Sequence, residues 1–593
     1  MTDATAIRKP KPTGQKASLS YQVAMSQPAS HLFEVSLQVS NWRSPVLDLK
    51  MPVWTPGSYL VREYARHLQD FSARSDKRKL VSQKLGKNHW QIVTEDVTEI
   101  KVSYRVYAND LTVRTNHLDS THGYFNGAAL FFFIPGLEKQ AIEVEITPPY
   151  ADWRVTTTLP QVSGKQNTFL ARDFDTLVDA PVEVGTQQIY NFEVLGKPHS
   201  WAIWSQGNVD PDKLIADTKK IIEVEAEMFG GLPYEQYLFL LHLSGRGYGG
   251  LEHKDCCTLN YPRFGFRDRE KYERFMQLVA HEFFHLWNVK RIRPKALEVF
   301  DYERESFTTS LWFCEGTTSY YDILIPLRAG IYNRKTCLKN ISKDINKYLH
   351  TVGRKVQPLA ESSYDAWIKL YRRNEYSDNN QISYYLKGQF VSLLLDLLIR
   401  AKHQNKRSLD DVMRLMWSRF GEEEKGFSET ELRETIAKVA EDNLDDFFTR
   451  YIETTEELPF DDYLEPFGLY LKTVAEDIPY LGMKVQSENN REVIKFVATD
   501  SPAALGGIDA KDELLAIDGI KVNAQSLNSR LKDYQAEDTI WITVFHQDEL
   551  KTLPVTLAQP QADSYELAIK DDLSQQQQQN LAGWLGEEVG SRE

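Results

Sequence analysis

The segment 275–287 carries a pattern that suggests metal-assisted hydrolysis. His281, Glu282 and His285 form His-Glu-x-x-His within an apolar, helix-like stretch. Residues four apart lie on one face of a helix with Cβ atoms about 5–6 Å apart, so both imidazoles can reach one zinc ion. Glu282 then lies beside the metal, where its carboxylate can take a proton from zinc-bound water and pass it to a leaving amine. For this motif alone, two core histidines on an apolar helix are the alternative.

A catalytic zinc also needs a third protein ligand and an open fourth position. Glu315 lies in another apolar, helix-like segment, close to Trp312, Phe313 and Tyr320. Burying a carboxylate there is costly unless a partner compensates it, and zinc is a suitable partner. Glu315 is therefore the predicted third ligand of one zinc per chain, with a partly exposed Glu at a helix start as the alternative. Asp322, two turns further on, is a candidate acceptor that orients one histidine, with a solvated Asp as the alternative.

The elements that must position these residues predict a multidomain α+β protein. Residues 18–197 contain short segments of alternating polarity, which predict an N-terminal all-β, sandwich-like domain. Residues 198–465 show helical periodicity interrupted by a strand-like island at 237–242, which predicts a mainly α catalytic domain with a small sheet. Short strands return over 469–558, and a polar, solvated C-terminal tail is predicted over 559–593.

The composition and the N-terminal sequence indicate which classes of binding partner and which cellular compartment to expect. The net charge of −14 argues against a broad nucleic-acid surface and against attachment to anionic lipid. Residues 1–21 contain no apolar run long enough for a signal peptide or a membrane helix. The four cysteines include the adjacent pair Cys256 and Cys257, to which no role is assigned, and they cannot form a disulfide framework for 593 residues. These features predict a cytoplasmic protein with no nucleic-acid or membrane partner.

Four short segments carry a more specific pattern. They read Gly-Gly-Leu-Glu-His at 249–253, His-Glu-Phe-Phe-His-Leu-Trp-Asn-Val-Lys-Arg at 281–291, Trp-Phe-Cys-Glu-Gly at 312–316 and Tyr-Leu-Lys-Gly at 385–388. Together they resemble the glycyl aminopeptidase-like zinc metallopeptidases, relatives of the aminopeptidase N and leukotriene hydrolase group. The Pro- and Gly-rich loop 51–59 also looks like the N-terminal domain of that family. The resemblance implies a thermolysin-like catalytic domain and an aminopeptidase that favours a small N-terminal residue, Gly or Ala.

The resemblance also implies roles for residues outside the zinc motif. Glu252 matches the carboxylate that binds the free α-amine of a peptide, and Gly249 and Gly250 would let the substrate backbone approach. Tyr385 matches the tyrosine whose hydroxyl stabilises the oxyanion, a task for which a phenol suits because it donates a hydrogen bond without adding a formal charge. Without the resemblance, Glu252 is a loop acid and Tyr385 a core aromatic, and Tyr384 is the neighbour most easily confused with it.

Two features depart from the related aminopeptidases. His253 stands where those relatives usually carry Asn, although the glycyl aminopeptidase-like branch has His there. The spacing from His285 to Glu315 is longer than in those relatives, so the segment 289–307 is expected to loop out. Three of its side chains are expected to form a solvated basic turn, with a grip on a substrate carboxylate as the alternative: Lys290, Arg291 and Arg293.

The region 469–558 resembles a PDZ domain, with motifs that begin at residue 480. In that fold a loop such as Leu481-Gly482-Met483 offers backbone N–H groups to a peptide's terminal carboxylate, and the next strand pairs with the extended peptide. Lys511 stands where that fold usually has Gly. Binding of a peptide C-terminus, and mere packing against the peptidase, both remain open.

These observations predict a zinc-dependent aminopeptidase that hydrolyses the first peptide bond of short, unblocked peptides. In this mechanism zinc would polarise the substrate carbonyl and Glu282 would activate the attacking water. Tyr385 would stabilise the oxyanion, and Glu252 would bind the α-amine of the substrate. One alternative is a zinc endopeptidase, which would not need Glu252 and would cleave N-blocked substrates. The other is a PDZ-based peptide-binding protein with a degenerate peptidase, which would be expected to lack one of the zinc or catalytic residues.

Overall fold

The N-terminal part of the chain is a β domain built on strands that bury every second residue. In the computed structural model, which describes residues 17–76, 78–474, 477–562 and 564–586, the strand Leu32–Ser40 buries Phe33, Val35 and Leu37 and leaves the residues between them partly exposed. The elements of this domain are β1 (Ser18–Ala24), β2 (Leu32–Ser40), β3 (Val46–Lys50), β4 (Leu68–Ser75), β5 (Arg78–Lys79), β6 (Ser82–Gly86), β7 (His89–Val93), β8 (Ile100–Tyr107), β9 (His117–Leu118), β10 (His122–Phe125), β11 (Ile142–Thr147), β12 (Arg154–Thr156), β13 (Thr168–Ala171), α1 (Phe174–Val178) and β14 (Val182–Gly185).

These strands form three sheets around a shared apolar core. The largest has the order β13-β11-β1-β2-β8-β4-β5, and β1 pairs with β11 in parallel. A second sheet has the order β3-β7-β6, and the third, β12-β14-β10-β9, packs towards the catalytic domain. The predicted β-rich N-terminal domain is confirmed.

The catalytic domain combines one five-stranded sheet with many helices. The sheet order is β15-β16-β17-β19-β18, with β18 antiparallel to β19 at the edge. Because β15 already belongs to this sheet, the sheet begins ten residues before the predicted boundary at 198. The elements are β15 (Gln188–Val194), β16 (Lys197–Trp204), α2 (Pro211–Phe229), β17 (Tyr237–Ser244), β18 (Gly249–Glu252), β19 (Cys256–Pro262), α3 (Arg269–Phe284), α4 (Thr317–Arg328), α5 (Arg334–Leu349), α6 (Leu359–Tyr364), α7 (Ser377–Asn380), α8 (Tyr384–His403), α9 (Leu409–Met416), α10 (Glu429–Ala440), α11 (Asp445–Phe448) and α12 (Phe460–Leu464).

Helix α8 is the buried central helix of this domain. The segment Ser377–His403 is long and apolar enough to cross a membrane by length and composition, and within the described parts of the chain it is the one helix of this kind. However, 83% of its most apolar window is buried inside the protein. Its apolar character is therefore accounted for by contacts with the surrounding helices.

The C-terminal region contains a PDZ domain with its own small core. Its sheet has the order β21-β22-β23-β25-β26, and β24 pairs with β23. Its elements and those around it are β20 (Leu469–Val474), β21 (Met483–Glu488), β22 (Arg491–Val497), α13 (Pro502–Leu505), β23 (Glu513–Ile517), β24 (Ile520–Lys521), α14 (Leu527–Leu531), β25 (Thr539–His546), β26 (Glu549–Thr556), β27 (Ser564–Ile569) and α15 (Gln575–Leu585).

The predicted solvated tail over 559–593 is wrong for residues 564–586. Strand β27 pairs with β20, and α15 packs into the catalytic core through Leu581, Trp584 and Leu585. Trp584 Nε1 donates to Tyr320 OH at 3.0 Å. The glutamine run forms the first part of an amphipathic helix. The sequence pattern did not predict this helix, because its apolar residues recur at three- and four-residue steps only after the run. The PDZ domain is thus inserted between two strands of the catalytic domain, and β20 lies outside the PDZ sheet.

Candidate metal centre and substrate cleft

Three side chains from two helical segments converge on one point. The Nε2 atoms of His281 and His285 are 3.0 Å apart, and Glu315 Oε2 lies 3.6 Å from the first and 3.1 Å from the second. Atoms that bind zinc tetrahedrally at about 2.0–2.1 Å are about 3.3 Å apart, so this donor set fits a zinc ion with little movement. Burial alone would raise the pKa of Glu315, but the neighbouring imidazoles, His285 first, lower it to about 2. The carboxylate is therefore ionised and ready to bind a cation.

Each imidazole is oriented by a hydrogen bond from its other ring nitrogen. His281 Nδ1 lies 2.8 Å from Asp322 Oδ2, and His285 Nδ1 lies 2.8 Å from the backbone carbonyl of Asn288. Such acceptors fix the tautomer so that Nε2 faces the metal. The structure thus places Asp322 beside His281, in the position expected of an orienting acceptor.

The local backbone explains two glycines of the sequence motifs. Glu315 lies in a π-helix, Trp312–Gly316, which runs directly into α4. An added Cβ on Gly316 would lie 2.5 Å from Gly388 Cα. Both glycines are therefore needed for the close approach of this π-helix to α8, and that approach brings Tyr385 near Glu315.

Glu282 lies beside these three candidate ligands but does not join them. Its side chain is buried, and Oε2 has no hydrogen-bond partner among the described residues. Burial raises the pKa of Glu282 to about 7 against the opposing effect of the two imidazoles. A Cβ on Gly250 would overlap the Glu282 carboxylate, so the edge strand β18 can pass this close only with glycine there. The arrangement leaves one carboxylate oxygen free for a water molecule.

Glu252 lies on the same edge strand and is 4% exposed. Its Oε1 also lacks a hydrogen-bond partner within the described parts of the chain. A Cβ on Gly57, whose φ is +86°, would lie 2.5 Å from that oxygen. The loop 51–59 therefore has a physical role that its sequence did not reveal, because it crosses from the N-terminal domain and closes over Glu252.

The hydroxyl of Tyr385 belongs to a small cluster of phenols. Tyr371 OH lies 2.9 Å from both Tyr384 OH and Tyr385 OH. The Tyr385 ring stacks at 6.4 Å from the His281 ring, and its side chain is only partly buried, whereas Tyr384 is fully buried. The geometry thus favours Tyr385 over Tyr384 as the phenol that faces the cleft.

Two cleft residues were missed by sequence reasoning. Arg114, in the N-terminal domain, donates from Nη2 to the backbone carbonyl of Gly250 at 3.0 Å. Burial alone would lower the pKa of Arg114, but nearby phenols and carboxylates, Tyr371 first, raise it above its usual value. Tyr371 lies in an irregular segment before α7. Neither residue belongs to a motif, and no local signal could have identified them.

The predicted solvated basic turn is wrong. Its three side chains are only 4%, 7% and 9% exposed: Lys290, Arg291 and Arg293. Lys290 Nζ lies 2.6 Å from Asp179 Oδ1, and Arg291 Nη2 lies 3.1 Å from Asp255 Oδ1. His253 also contacts Asp179, at 3.2 Å. Buried charges need partners. The pair of Lys290 and Asp179 ties the segment after α3 to the N-terminal domain, whereas Arg291 pairs within the catalytic domain.

The loop Leu481-Gly482-Met483 of the PDZ domain faces the catalytic domain. Leu481, Gly482 and Met483 line a groove of about 520 Å³, and residues 349–355 of the catalytic domain line its other side. The two domains also touch directly, because Asn379 Nδ2 donates to Val497 O at 2.8 Å. Lys511 has a φ of +79°, which explains why that position usually carries glycine.

Each of the three domains matches a known protein family model. Residues 20–186 match the family model for the peptidase M61 N-terminal domain, 274–391 the model for M61 glycyl aminopeptidase, and 479–557 the model for a PDZ domain. Among solved structures, an aminopeptidase N family protein from Idiomarina loihiensis is 31% identical with a TM-score of 0.90, over 96% of this chain and 100% of that chain.

Two more distant structures also match. An M1 zinc metallopeptidase from Deinococcus radiodurans has 13% identity and a TM-score of 0.46, over 75% of this chain and 94% of its own. Yeast LTA4 hydrolase in complex with bestatin has 12% identity and a TM-score of 0.44, over 76% of this chain and 71% of its own. A search of curated protein sequences returned no match.

Proposed function

We propose, from the premise that this chain belongs to the M61 glycyl aminopeptidase family of metallopeptidases, that it uses one zinc ion to remove small N-terminal residues from short, unblocked peptides. Family membership makes the chain a metal-dependent aminopeptidase. The identity of the metal, the preference for Gly or Ala and the role of each residue are the content of the proposal.

One observation carries it. At the cleft, two buried carboxylate oxygens lack a hydrogen-bond partner among the described residues: Glu282 Oε2, beside the three candidate metal ligands, and Glu252 Oε1, on the adjacent edge strand. Leaving a buried charged acceptor unsatisfied is costly, so each oxygen calls for a partner that the chain itself does not supply. A water molecule at Glu282 and the ammonium group of a peptide at Glu252 would satisfy both.

His281, His285 and Glu315 would hold the zinc ion. When bound, zinc supplies a Lewis acid for the substrate carbonyl and makes water a stronger nucleophile at neutral pH. Glu282 accepts the proton of the attacking water at Oε2 and later donates it to the leaving amine. The Tyr385 hydroxyl donates a hydrogen bond to the developing oxyanion.

The edge strand β18 sets which bond is cut. Glu252 binds the terminal ammonium group and so fixes the distance from the N-terminus to the scissile carbonyl. Arg114 holds the carbonyl of Gly250 and thereby keeps this strand in place. The preference for Gly or Ala rests on the family description, and the tight packing of Gly57 against Glu252 supports a small space around the first residue.

A substrate panel tests the proposal. The zinc-loaded enzyme would be assayed with Gly-, Ala-, Leu- and Phe-naphthylamides and with the N-acetylated form of each, and Glu282→Gln would serve as the control for contaminating peptidases. We expect the highest kcat/KM for Gly and Ala and little cleavage of acetylated compounds. Equal cleavage of free and acetylated substrates would instead identify an endopeptidase.

The PDZ groove is proposed to take a peptide C-terminus. Support comes from the position of Gly482 in the groove and from the basic residues His350, Arg354 and Lys355 on its catalytic-domain side. A peptide carboxylate would meet the ammonium group of Lys355 there, whereas Arg354 already pairs with Glu457. Fluorescence anisotropy with a random peptide library should show binding that C-terminal amidation abolishes, whereas equal binding of amidated peptides would contradict this assignment.

A cytoplasmic location stays a prediction. All four cysteines, each within the described parts of the chain, are free and buried, which suits a reducing compartment. Fractionation of the source cells would test it.

A further inference from the structure

A second group of metal-ligating side chains lies away from the cleft, where the N-terminal domain packs on the catalytic sheet. His122 is on β10, Glu183 on β14 and His242 on β17. One ligand atom from each lies within 4.8 Å of the others. The three side chains are 0%, 1% and 1% exposed, so the cluster is fully enclosed.

Protein contacts alone leave this cluster unsatisfied. Glu183 Oε2 lies 2.8 Å from His242 Nε2, which accounts for one carboxylate oxygen. Within the described parts of the chain, however, Glu183 Oε1, both ring nitrogens of His122 and His242 Nδ1 have no hydrogen-bond partner. Unpaired buried polar atoms are costly and therefore rare, and four in one cluster indicate a missing partner.

The geometry identifies that partner as a cation. The Glu183 carboxylate lies between the two imidazoles, with Oε1 4.0 Å from His122 Nε2. Two neutral imidazoles and a carboxylate are the donors that zinc and similar divalent metal ions prefer. A metal ion would supply a partner for both His122 Nε2 and Glu183 Oε1, which the contact between Glu183 and His242 does not.

A second carboxylate, Asp119, lies near His122 but forms no hydrogen bond with its ring. Asp119 Oδ1 lies 3.9 Å from His122 Nδ1, the nitrogen that would face away from the metal. That oxygen already accepts backbone N–H groups from Thr121 at 2.7 Å and from His122 at 3.2 Å. Asp119 also contacts His117 at 3.2 Å and is 32% exposed. Because Asp119 is engaged by these contacts and partly exposed, we do not include it among the metal ligands.

We propose that His122, Glu183 and His242 bind a second divalent metal ion of the zinc class, which links the N-terminal domain to the catalytic sheet. The ion would bridge two sheets that otherwise meet through the small apolar cluster around Tyr124, Leu238 and Leu240. Because its ligands come from both domains, binding would stabilise their packing. The proposal does not depend on the proposed peptidase substrate.

Metal counting in full-length protein tests it. Each protein would be loaded with zinc, passed over a weak chelating resin and analysed by native mass spectrometry. We expect two zinc ions per wild-type chain and one in the double variant His281→Ala, Glu315→Gln, which removes the catalytic ligands. A folded double variant that holds no zinc would overturn the proposal.

Further variants in that double-variant background locate the ion. His242→Gln should remove the remaining zinc, whereas the matched histidine control His403→Gln should retain it. If His242→Gln does not fold, Glu183→Gln, which preserves the side-chain shape, takes its place. His117→Gln should also retain the zinc, because His117 is not one of the three proposed ligands. Loss of zinc from that variant would place the ion at His117, Asp119 and His122 and overturn this ligand assignment.

Discussion

Replacing Glu252 with Gln tests the proposal that this carboxylate binds a peptide's terminal ammonium group and so places the first peptide bond for cleavage. Gln has nearly the same shape, so the contact with Gly57 and the pairing of β18 with β19 should persist while the negative charge is lost. A hydrogen bond between charged groups contributes about 1.5–3 kcal/mol, and each 1.4 kcal/mol corresponds to a factor of ten. We therefore expect kcat/KM for a free-amine substrate to fall by about tenfold to 150-fold.

The loss should appear in both kinetic constants. KM should rise because the ammonium group loses its ionic partner. The constant kcat should fall because the same contact sets the position of the scissile bond, and a displacement of about 1 Å can cost about a hundredfold. Zinc content should not change, because Glu252 lies outside the cluster of His281, His285 and Glu315.

The assay compares one alanyl peptide in its free and N-acetylated forms. Wild type should strongly prefer the free form, and Glu252→Gln should narrow that preference. The control Glu223→Gln, at an exposed position on α2, should behave as wild type. A Glu252→Gln enzyme within about twofold of wild type on the free peptide would refute the assignment of Glu252 as the amine anchor.

Three other predictions follow from the described contacts. Glu282→Gln should retain the catalytic zinc yet lose about 10²–10⁴-fold in kcat, since it removes a proton carrier and no ligand; near-normal turnover with zinc bound would contradict the mechanism. Gly250→Ala should lower kcat by about a hundredfold, because the new Cβ displaces the Glu282 carboxylate. The control Gly245→Ala should be neutral, because its Cβ meets no atom of the described residues within 4 Å. Equal kinetics for the two variants would show that the close approach of Gly250 to Glu282 is unimportant. Replacing residues 477–562 by a short Gly-Ser linker should preserve the fold of the catalytic domain and its zinc binding. Truncation after residue 468 should instead unfold that domain, because it removes β27 and α15 from the core. Each large buried side chain lost costs about 2–5 kcal/mol of stability. Circular dichroism and zinc analysis of both deletions distinguish these outcomes, and a folded truncation would show that α15 is dispensable.

The sequence by itself determined the features that depend on near neighbours. His281 and His285 share a helix face because they are four residues apart, and that spacing alone brings their imidazoles together. Strand periodicity in the N-terminal domain and helical periodicity in the catalytic domain were equally local, which is why the fold class could be predicted. The motif resemblance then supplied Glu252 and Tyr385, for which spacing offers no physical argument.

Tertiary structure decided everything that joins distant parts of the chain. Arg114 and Gly57 reach the cleft from the N-terminal domain, and Asp179 pairs with Lys290 in a segment predicted to be solvated. The apolar residues of α15 pack into a core formed by residues far upstream. Their neighbours in the sequence are polar, so the sequence pattern predicted a solvated tail instead. Local periodicity reports only whether a residue will be buried, and the partner it meets depends on how the sheets and helices pack. The cluster of His122, Glu183 and His242 shows the same limit, since its three strands belong to two sheets and come together only when the domains pack.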